Sequence, residues 1–552
     1  MKQLLIKAVC IVAASVMVVP SVAGAKDALT VKTAAGKARG KAINSGKVHA
    51  WLGLPYAAPP VGDLRWKAPQ PAAKWPGERD ATKFAAHCAQ NPVFEDMVFQ
   101  DNGPSEDCLY LNVYAPATAD KDSKLPVMFW IHGGGFSGGG SNEPRHNGDF
   151  LPLKGVVLVT INYRLGVFGF LATEELAKEA SGAAGNYGLA DMIAALHWIK
   201  ANVKGFGGDP DNVTIFGESA GSFAVSTLMA SPMAEGLFQK AIGESGGAVA
   251  GSTLEYDNLP TREAKDAKWV ATLNVKSLAE LRALPAQTIL DAAKKPGVGF
   301  PPDIDGKVLT EPVGATYAAG KQAHIPLIAG WNRDEGNSMA AHGMTTAQWK
   351  ELAQKNFKER ADEFLKLYPG DTEEQALRSA IDFGSDQFIA YGTWAWLEAH
   401  RKTGNAPVYR YYFELAATPS KYHPGTFAFH SDDIEYVFGT LDTRPGWAVR
   451  PEDRTLSNQI MTYFTNFAKT GDPNGGKPLS NTRTTDSSGT AKSAEFVSCS
   501  APSQAACALP QWPKYNDDGY PLIHLNTTIT AGPDTLRARY EFLERGMPPM
   551  RF

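Results

Sequence analysis

Gly217-Glu218-Ser219-Ala220-Gly221 sets a serine between two glycines, the arrangement a nucleophilic hydroxyl needs at a sharp strand-to-helix turn. The chain carries this five-residue pattern three times, the other copies being Gly135 to Gly139 and Gly243 to Gly247. Context separates them. Val213 to Phe216 reads as a strand before Ser219, and Ser222 to Ala230 reads as a helix after it. The first copy lies in a glycine-rich loop and the third runs into Gly, Ala and Ser with no helical period. Only Ser219 therefore sits where its hydroxyl would be lifted above a sheet, with flanking glycines where a Cβ would clash.

Acyl transfer from such a serine needs donors for the oxygen that becomes negative in the tetrahedral intermediate. Losing one donor typically costs about 10²- to 10³-fold in rate. His132-Gly133-Gly134-Gly135 follows an apolar run ending at Ile131 and can bring backbone N–H groups to that oxygen, joined by the N–H of Ala220 at the helix start. A general base should follow the serine and an acid in chain order. Six histidines follow Ser219: His324, His342, His400, His423, His430 and His524. Pattern favours His430 or His423, and His197, which precedes the serine on a helix, reads as core or helix surface. For the acid, Asp334 and Glu335 stand side by side, and the residues alone leave both open.

The elements that must hold these groups alternate between β-branched apolar runs and helical period. Strand-like runs cover Leu125 to His132, Val156 to Tyr163, Asn212 to Phe216, Phe238 to Gly243, His324 to Ala329 and Val408 to Leu415. Gly188 to Val203 puts Leu189, Met192, Ile193, Leu196, Ile199 and Val203 on one face. A later helix near Leu456 to Thr470 carries Leu456, Ile460, Phe464 and Phe467 and stops at Gly471-Asp472-Pro473. This alternation predicts an α/β fold: a mostly parallel central sheet with helices on both faces and long loop insertions. No internal repeat or linker divides the chain. Residues 26–552 are expected to form a single domain, with Lys477 to Ala508, rich in Ser, Thr, Gly and Ala, as a long surface loop.

Residues 1–25 read as a secretory signal: Lys2 and Lys7, an apolar run from Ala8 to Val19, then Ala23-Gly24-Ala25 as a cleavage site. The run falls short of the roughly 20 residues that span a bilayer. Cys10 lies inside the apolar run without the small residues that precede a lipidated cysteine, so no stable membrane anchor is expected. The expected location is exported, periplasmic or extracellular. Without Lys2 and Lys7 the 54 basic residues become 52 against 58 acidic, a formal charge of −6 with both signs interspersed, which argues against a nucleic-acid partner. Four cysteines remain, Cys88, Cys108, Cys499 and Cys507, and proximity favours pairing each with its neighbour in an oxidising compartment. None has metal-ligand spacing, so no metal or other cofactor is expected. Oligomeric state has no signal in the sequence.

These residues resemble the type B carboxylesterases, the α/β-hydrolase branch of bacterial para-nitrobenzyl esterases, cholinesterases and liver carboxylesterases. The resemblance rests on Phe206-Gly207-Gly208-Asp209-Pro210 through Val213 to Gly221, and on Glu106-Asp107-Cys108-Leu109-Tyr110-Leu111-Asn112-Val113-Tyr114. Leu54-Pro55-Tyr56-Ala57, Asn162-Tyr163-Arg164-Leu165-Gly166 and Gly185-Asn186-Tyr187-Gly188-Leu189 support it. It implies a serine esterase acting on a small-molecule carboxylic ester through an acyl-enzyme. It also implies Glu335 as the acid, within Gly330 to Gly336, and His430 as the base, ahead of Asp433 and Tyr436-Val437-Phe438-Gly439. Gly134, Gly135 and Ala220 become the oxyanion donors, Cys88 pairs with Cys108, and Ser245 supports the site near Glu335 or Glu218. Cholinesterases carry a tryptophan about ten residues before the second signature cysteine to hold quaternary ammonium. This chain has Val98 there, beside Phe99, which points to a neutral ester. A lipase, a thioesterase or a hydrolase of a specialised ester such as a toxin or polyester is the alternative, and a non-catalytic binding module the remote one.

Overall fold

The computed structural model describes residues 28–251, 256–338, 343–476 and 509–547. Residues 1–25, expected to be a leader, the biased segment Lys477 to Ala508 with Cys499 and Cys507, and His342 lie outside the described residues. Eleven strands form one sheet: β1 (Lys41–Ile43), β2 (Val48–Pro55), β3 (Tyr110–Pro116), β4 (Leu125–Ile131), β5 (Val157–Ile161), β6 (Gly208–Glu218), β7 (Lys240–Glu244), β8 (Leu327–Asn332), β9 (Val408–Phe413), β10 (Leu522–Leu525) and β11 (Thr530–Gly532). Their spatial order is β11-β10-β9-β8-β7-β6-β4-β5-β3-β2-β1. The seven strands from β5 through β4, β6, β7, β8 and β9 to β10 pair in parallel, and antiparallel strands close both edges.

The strands are apolar on both faces because both are covered. In β4, Val127, Phe129 and Ile131 join the core of one face while Met128 and Trp130 join the other. The first face packs against α1 (Tyr187–Asn202), α2 (Ala220–Ala230) and α4 (Tyr391–Thr403), the last of which follows α3 (Glu373–Ser385). The second is covered by α5 (Pro451–Thr470), whose Leu456, Ile460, Phe464 and Phe467 are buried against Trp130, Phe216 and Ile328. This is the mostly parallel sheet between helical layers that the hydrophobic alternation predicts.

Boundaries differ from the sequence reading where a local rule intervenes. β8 starts at Leu327 rather than at His324, directly after Pro326, whose nitrogen has no hydrogen to donate. α5 begins at Pro451, a residue preset for the first helical position, with the Asp453 side chain accepting from the Arg450 N–H. Cys88 and Cys108 form a disulfide with Cα atoms 4.9 Å apart. Among the described residues no helix is long and apolar enough to cross a membrane.

Candidate active site

β6 delivers Glu218, the chain turns at Ser219 with φ 54° and ψ −123°, and α2 begins at Ala220. Positive φ is costly for serine. Here the neighbours hold it: the Ser219 N–H donates to the Glu244 carbonyl at 2.8 Å, and the Ser219 carbonyl accepts from Phe223 N–H at 2.9 Å. Gly221 is obligatory, since a Cβ there would stand 2.0 Å from the Ile131 carbonyl oxygen. Ser245 follows β7 with φ 55° but starts no helix, and the serine of the first copy, Ser137, lies in the glycine loop. Of the three motif copies, only that of Ser219 makes a strand-to-helix elbow.

Ser219, His430 and Glu335 meet although they are far apart in the chain. His430 Nε2 is 2.8 Å from Ser219 Oγ, and His430 Nδ1 is 2.6 Å from Glu335 Oε2. Glu335 is buried, and its other oxygen accepts from the Asn332 N–H at 2.8 Å and from the Ser245 hydroxyl at 2.6 Å. Glu218 Oε1 lies 3.3 Å from His430 Nε2, so the imidazole faces two carboxylates while a quarter of it stays open. The His430 and Phe388 rings meet edge to face with centroids 5.0 Å apart.

Burial works against a charged His430, but Glu218 and Glu335 outweigh it and hold the imidazole above its ordinary range. Burial pushes the Glu218 carboxyl up. The two shifts are linked, because a protonated Glu218 removes the largest charge favouring the imidazolium. Asp433, under the histidine loop, accepts from Tyr411 Oη at 2.8 Å and Asn332 Nδ2 at 3.1 Å, and burial raises it to about 6.

The glycine loop closes over the elbow. A Cβ on Gly133 would lie 2.6 Å from Glu218 Oε2, so the backbone passes directly against the turn. Among the described residues no group accepts the N–H of Gly134, Gly135 or Ala220, and all three belong to the two segments that flank Ser219 Oγ. Backbone N–H groups left free at a helix start and in a glycine loop are what a developing oxyanion requires.

The competing candidates lie elsewhere. Asp334 bonds Arg333, Arg378 and the Ala428 N–H, tying the acid turn to the loop that carries His430 without touching the imidazole. His423 stacks on Phe429 at 3.7 Å with Nε2 3.6 Å from Asp96. His324 bonds Gly320, His400 bonds Ile325, His524 pairs with Glu414, and His197 is exposed on α1. Val98 is exposed, and Phe99 stacks on His87 at 3.9 Å. Sequence reasoning missed Phe388, which rides on a π-helical turn, Asp386–Ala390, that no hydrophobic period announces. It also missed the Asn332 N–H, although Asn332 lies inside the Gly330 to Gly336 segment.

A parallel sheet with a serine elbow after its central strand, a glycine loop beside it and acid and histidine on later loops defines an α/β-hydrolase. The Carboxylesterase family model matches residues 27–543. Para-nitrobenzyl esterase of Bacillus subtilis (strain 168) is 37% identical over 462 residues, 80% of this chain and 90% of that protein. Fumonisin B1 esterase of Sphingopyxis macrogoltabida is 35% identical over 458 residues, 78% of this chain and 80% of its own. Among solved structures, a PNB esterase matches with a TM-score of 0.74 at 32% identity, covering 93% of this chain and 99% of that one. A Geobacillus stearothermophilus carboxylesterase matches with a TM-score of 0.74 at 30% identity and the same coverage. The chain belongs to the carboxylesterase family, whose members are serine hydrolases of carboxylic esters.

Proposed function

We propose that this protein hydrolyses small neutral carboxylic esters through a Ser219–His430–Glu335 triad and an acyl-enzyme. The observation that carries the reading is the unbroken contact from Ser219 Oγ through both imidazole nitrogens to Glu335. His430 Nε2 takes the Ser219 proton as Oγ attacks the ester carbonyl, while Glu335 holds the other nitrogen protonated and stabilises the imidazolium. The N–H groups of Gly134, Gly135 and Ala220 receive the oxyanion. The intermediate collapses with loss of the alcohol, which leaves with the proton from His430. Water, deprotonated by the same nitrogen, then attacks the acyl-enzyme and frees the acid and Ser219.

Ser245 and Asn332 fix Glu335, and Glu218 modulates the imidazole. Export to the periplasm or medium follows from the leader, and the N-terminal sequence of the protein recovered outside the cytoplasm tests it, a start near Lys26 being expected. Relatives named for para-nitrobenzyl and fumonisin B1 esters favour a specialised ester as the second reading. Ser219→Ala should keep the fold and lose turnover of 4-nitrophenyl esters together with labelling by a fluorophosphonate. Substantial remaining turnover sinks the assignment, and a panel of acyl lengths, triglycerides and amides ranks the ester classes.

A further inference from the structure

Between the Cys88–Cys108 disulfide and the glycine loop stands a contact that the triad does not use. Gln90 is buried, two residues after Cys88. Its side-chain Nε2 donates to the Gly139 carbonyl at 2.8 Å, and its Oε1 accepts from the Gly139 N–H at 2.8 Å. A primary amide thus pairs with a peptide group as a neighbouring strand would, and Nε2 also donates to the Cys88 carbonyl at 3.0 Å. Among the described residues, both polar backbone groups of Gly139 are met by Gln90.

Gly139 has φ 104° and folds back on the start of the loop, where a Cβ would stand 2.5 Å from His132 Nδ1 and 2.7 Å from the Gly133 carbonyl oxygen. Inside that fold, the Gly134 carbonyl accepts from the N–H groups of Ser137 and Gly138, each at 3.0 Å. The Gly134 N–H has no acceptor among the described residues. The exit of the loop is held separately, by Glu143 on the Gly140 N–H and by Asn162 on the Ser141 N–H. The middle of the turn is held by the buried Phe136, whose carbonyl accepts from the Gly166 N–H at 2.6 Å, and its far end at Gly139 by the Gln90 side chain, two residues from the disulfide.

We infer that Gln90 is a positioning residue for ester hydrolysis: its carboxamide sets the glycine loop so that the N–H groups of Gly134 and Gly135 face the oxyanion. The inference rests on the proposed roles of Ser219 and of those N–H groups. A displaced donor costs less than the about 10²- to 10³-fold of a deleted one, so Gln90→Met should lower kcat by about 10- to 100-fold with KM changed less than about threefold.

The discriminating probe is an alkyl trifluoromethyl ketone. Ser219 Oγ adds to its carbonyl carbon, the π pair moves to oxygen, and the serine proton passes to His430, so the bound adduct carries the oxyanion. Its inhibition constant should rise in Gln90→Met by the factor lost from kcat/KM. Asn91→Ala is the control, since Asn91 in the same loop donates away from the site, to the Leu290 carbonyl at 2.9 Å. It should stay within about twofold of wild type in both readouts. Gln90→Glu keeps the shape but opposes a carboxylate to the Gly139 carbonyl, and should repeat the loss if the methionine variant fails to fold. Unchanged ketone affinity in a folded variant, an equal loss in Asn91→Ala, or failure of both Gln90 variants to fold overturns the positioning role. Wild-type enzyme that the ketone does not inhibit would sink the reading of Ser219 itself.

Discussion

Replacing Glu335 by Gln alters one atom and leaves the shape. In the wild-type geometry Oε1 accepts from the Asn332 N–H at 2.8 Å and the Ser245 hydroxyl at 2.6 Å, while Oε2 faces His430 Nδ1 at 2.6 Å. A backbone N–H cannot accept, so the glutamine carbonyl must take the Oε1 position and its NH₂ must face His430. The imidazole then has to accept at Nδ1 and carry its proton on Nε2, the nitrogen 2.8 Å from Ser219 Oγ. A base whose accepting nitrogen is already protonated cannot take the serine proton. The opposite amide orientation sets NH₂ against N–H at hydrogen-bonding distance and offers no escape. Forcing the wrong tautomer costs about 10⁴-fold in kcat, roughly 5 kcal/mol of transition-state stabilisation.

The assay is kcat on a 4-nitrophenyl ester at neutral pH, with circular dichroism and the thermal midpoint confirming the fold. Ser245→Ala gives the contrast, because the Asn332 N–H still orders Glu335 after one charge-assisted bond is lost. Its kcat should fall by about tenfold, the equivalent of about 1.4 kcal/mol. A folded Glu335→Gln that keeps more than about a tenth of wild-type kcat would refute the tautomer argument.

Three further outcomes follow from distances in the site. The Glu218 carboxylate favours the imidazolium, so Glu218→Gln should lower the His430 pKa and move the acid limb of kcat/KM to lower pH; an unmoved limb shows that the charge is not felt. The double variant Cys88→Ser, Cys108→Ser opens a loop spanning 20 residues and should lose roughly 3 kcal/mol, read from the urea midpoint, with kcat falling as the loop bearing Gln90 loosens. Gly221→Ala drives a Cβ into the Ile131 carbonyl, where no side chain can yield, and should cost about 1–3 kcal/mol together with turnover; a stable and active variant would show that the elbow relaxes freely.

Much of this molecule is legible in its residues because the signals are local. The buried faces of α1 and α5 follow from helical period, and β4 to β9 from short apolar runs, since both patterns report burial one element at a time. The elbow is likewise legible: strand, glycines and helix start lie within a dozen residues of Ser219. The π-helical turn under Phe388 left no trace, because a single inserted residue changes hydrogen bonding without disturbing the apolar pattern around it.

The chemistry of adjacent residues was not legible from their types. Asp334 and Glu335 are neighbours with the same charge. One side chain turns to Arg333, Arg378 and Ala428 and the other to His430, a choice made by the packing of β8 against the histidine loop. His423 and His430 differ in the same way, since only the second lies within reach of Ser219, 211 positions away. Gln90 and Gly139 are 49 positions apart, and no local pattern links them. The sequence alone determined the elements, the serine elbow and the family motifs, because those depend on backbone preference and nearest neighbours. Residue types left the acid and the histidine open, and the family resemblance implied Glu335 and His430. The tertiary structure brings those two together at Ser219 and sets Gln90 on Gly139, because a hydrogen bond requires contact in space and the packing of loops on the sheet sets those distances.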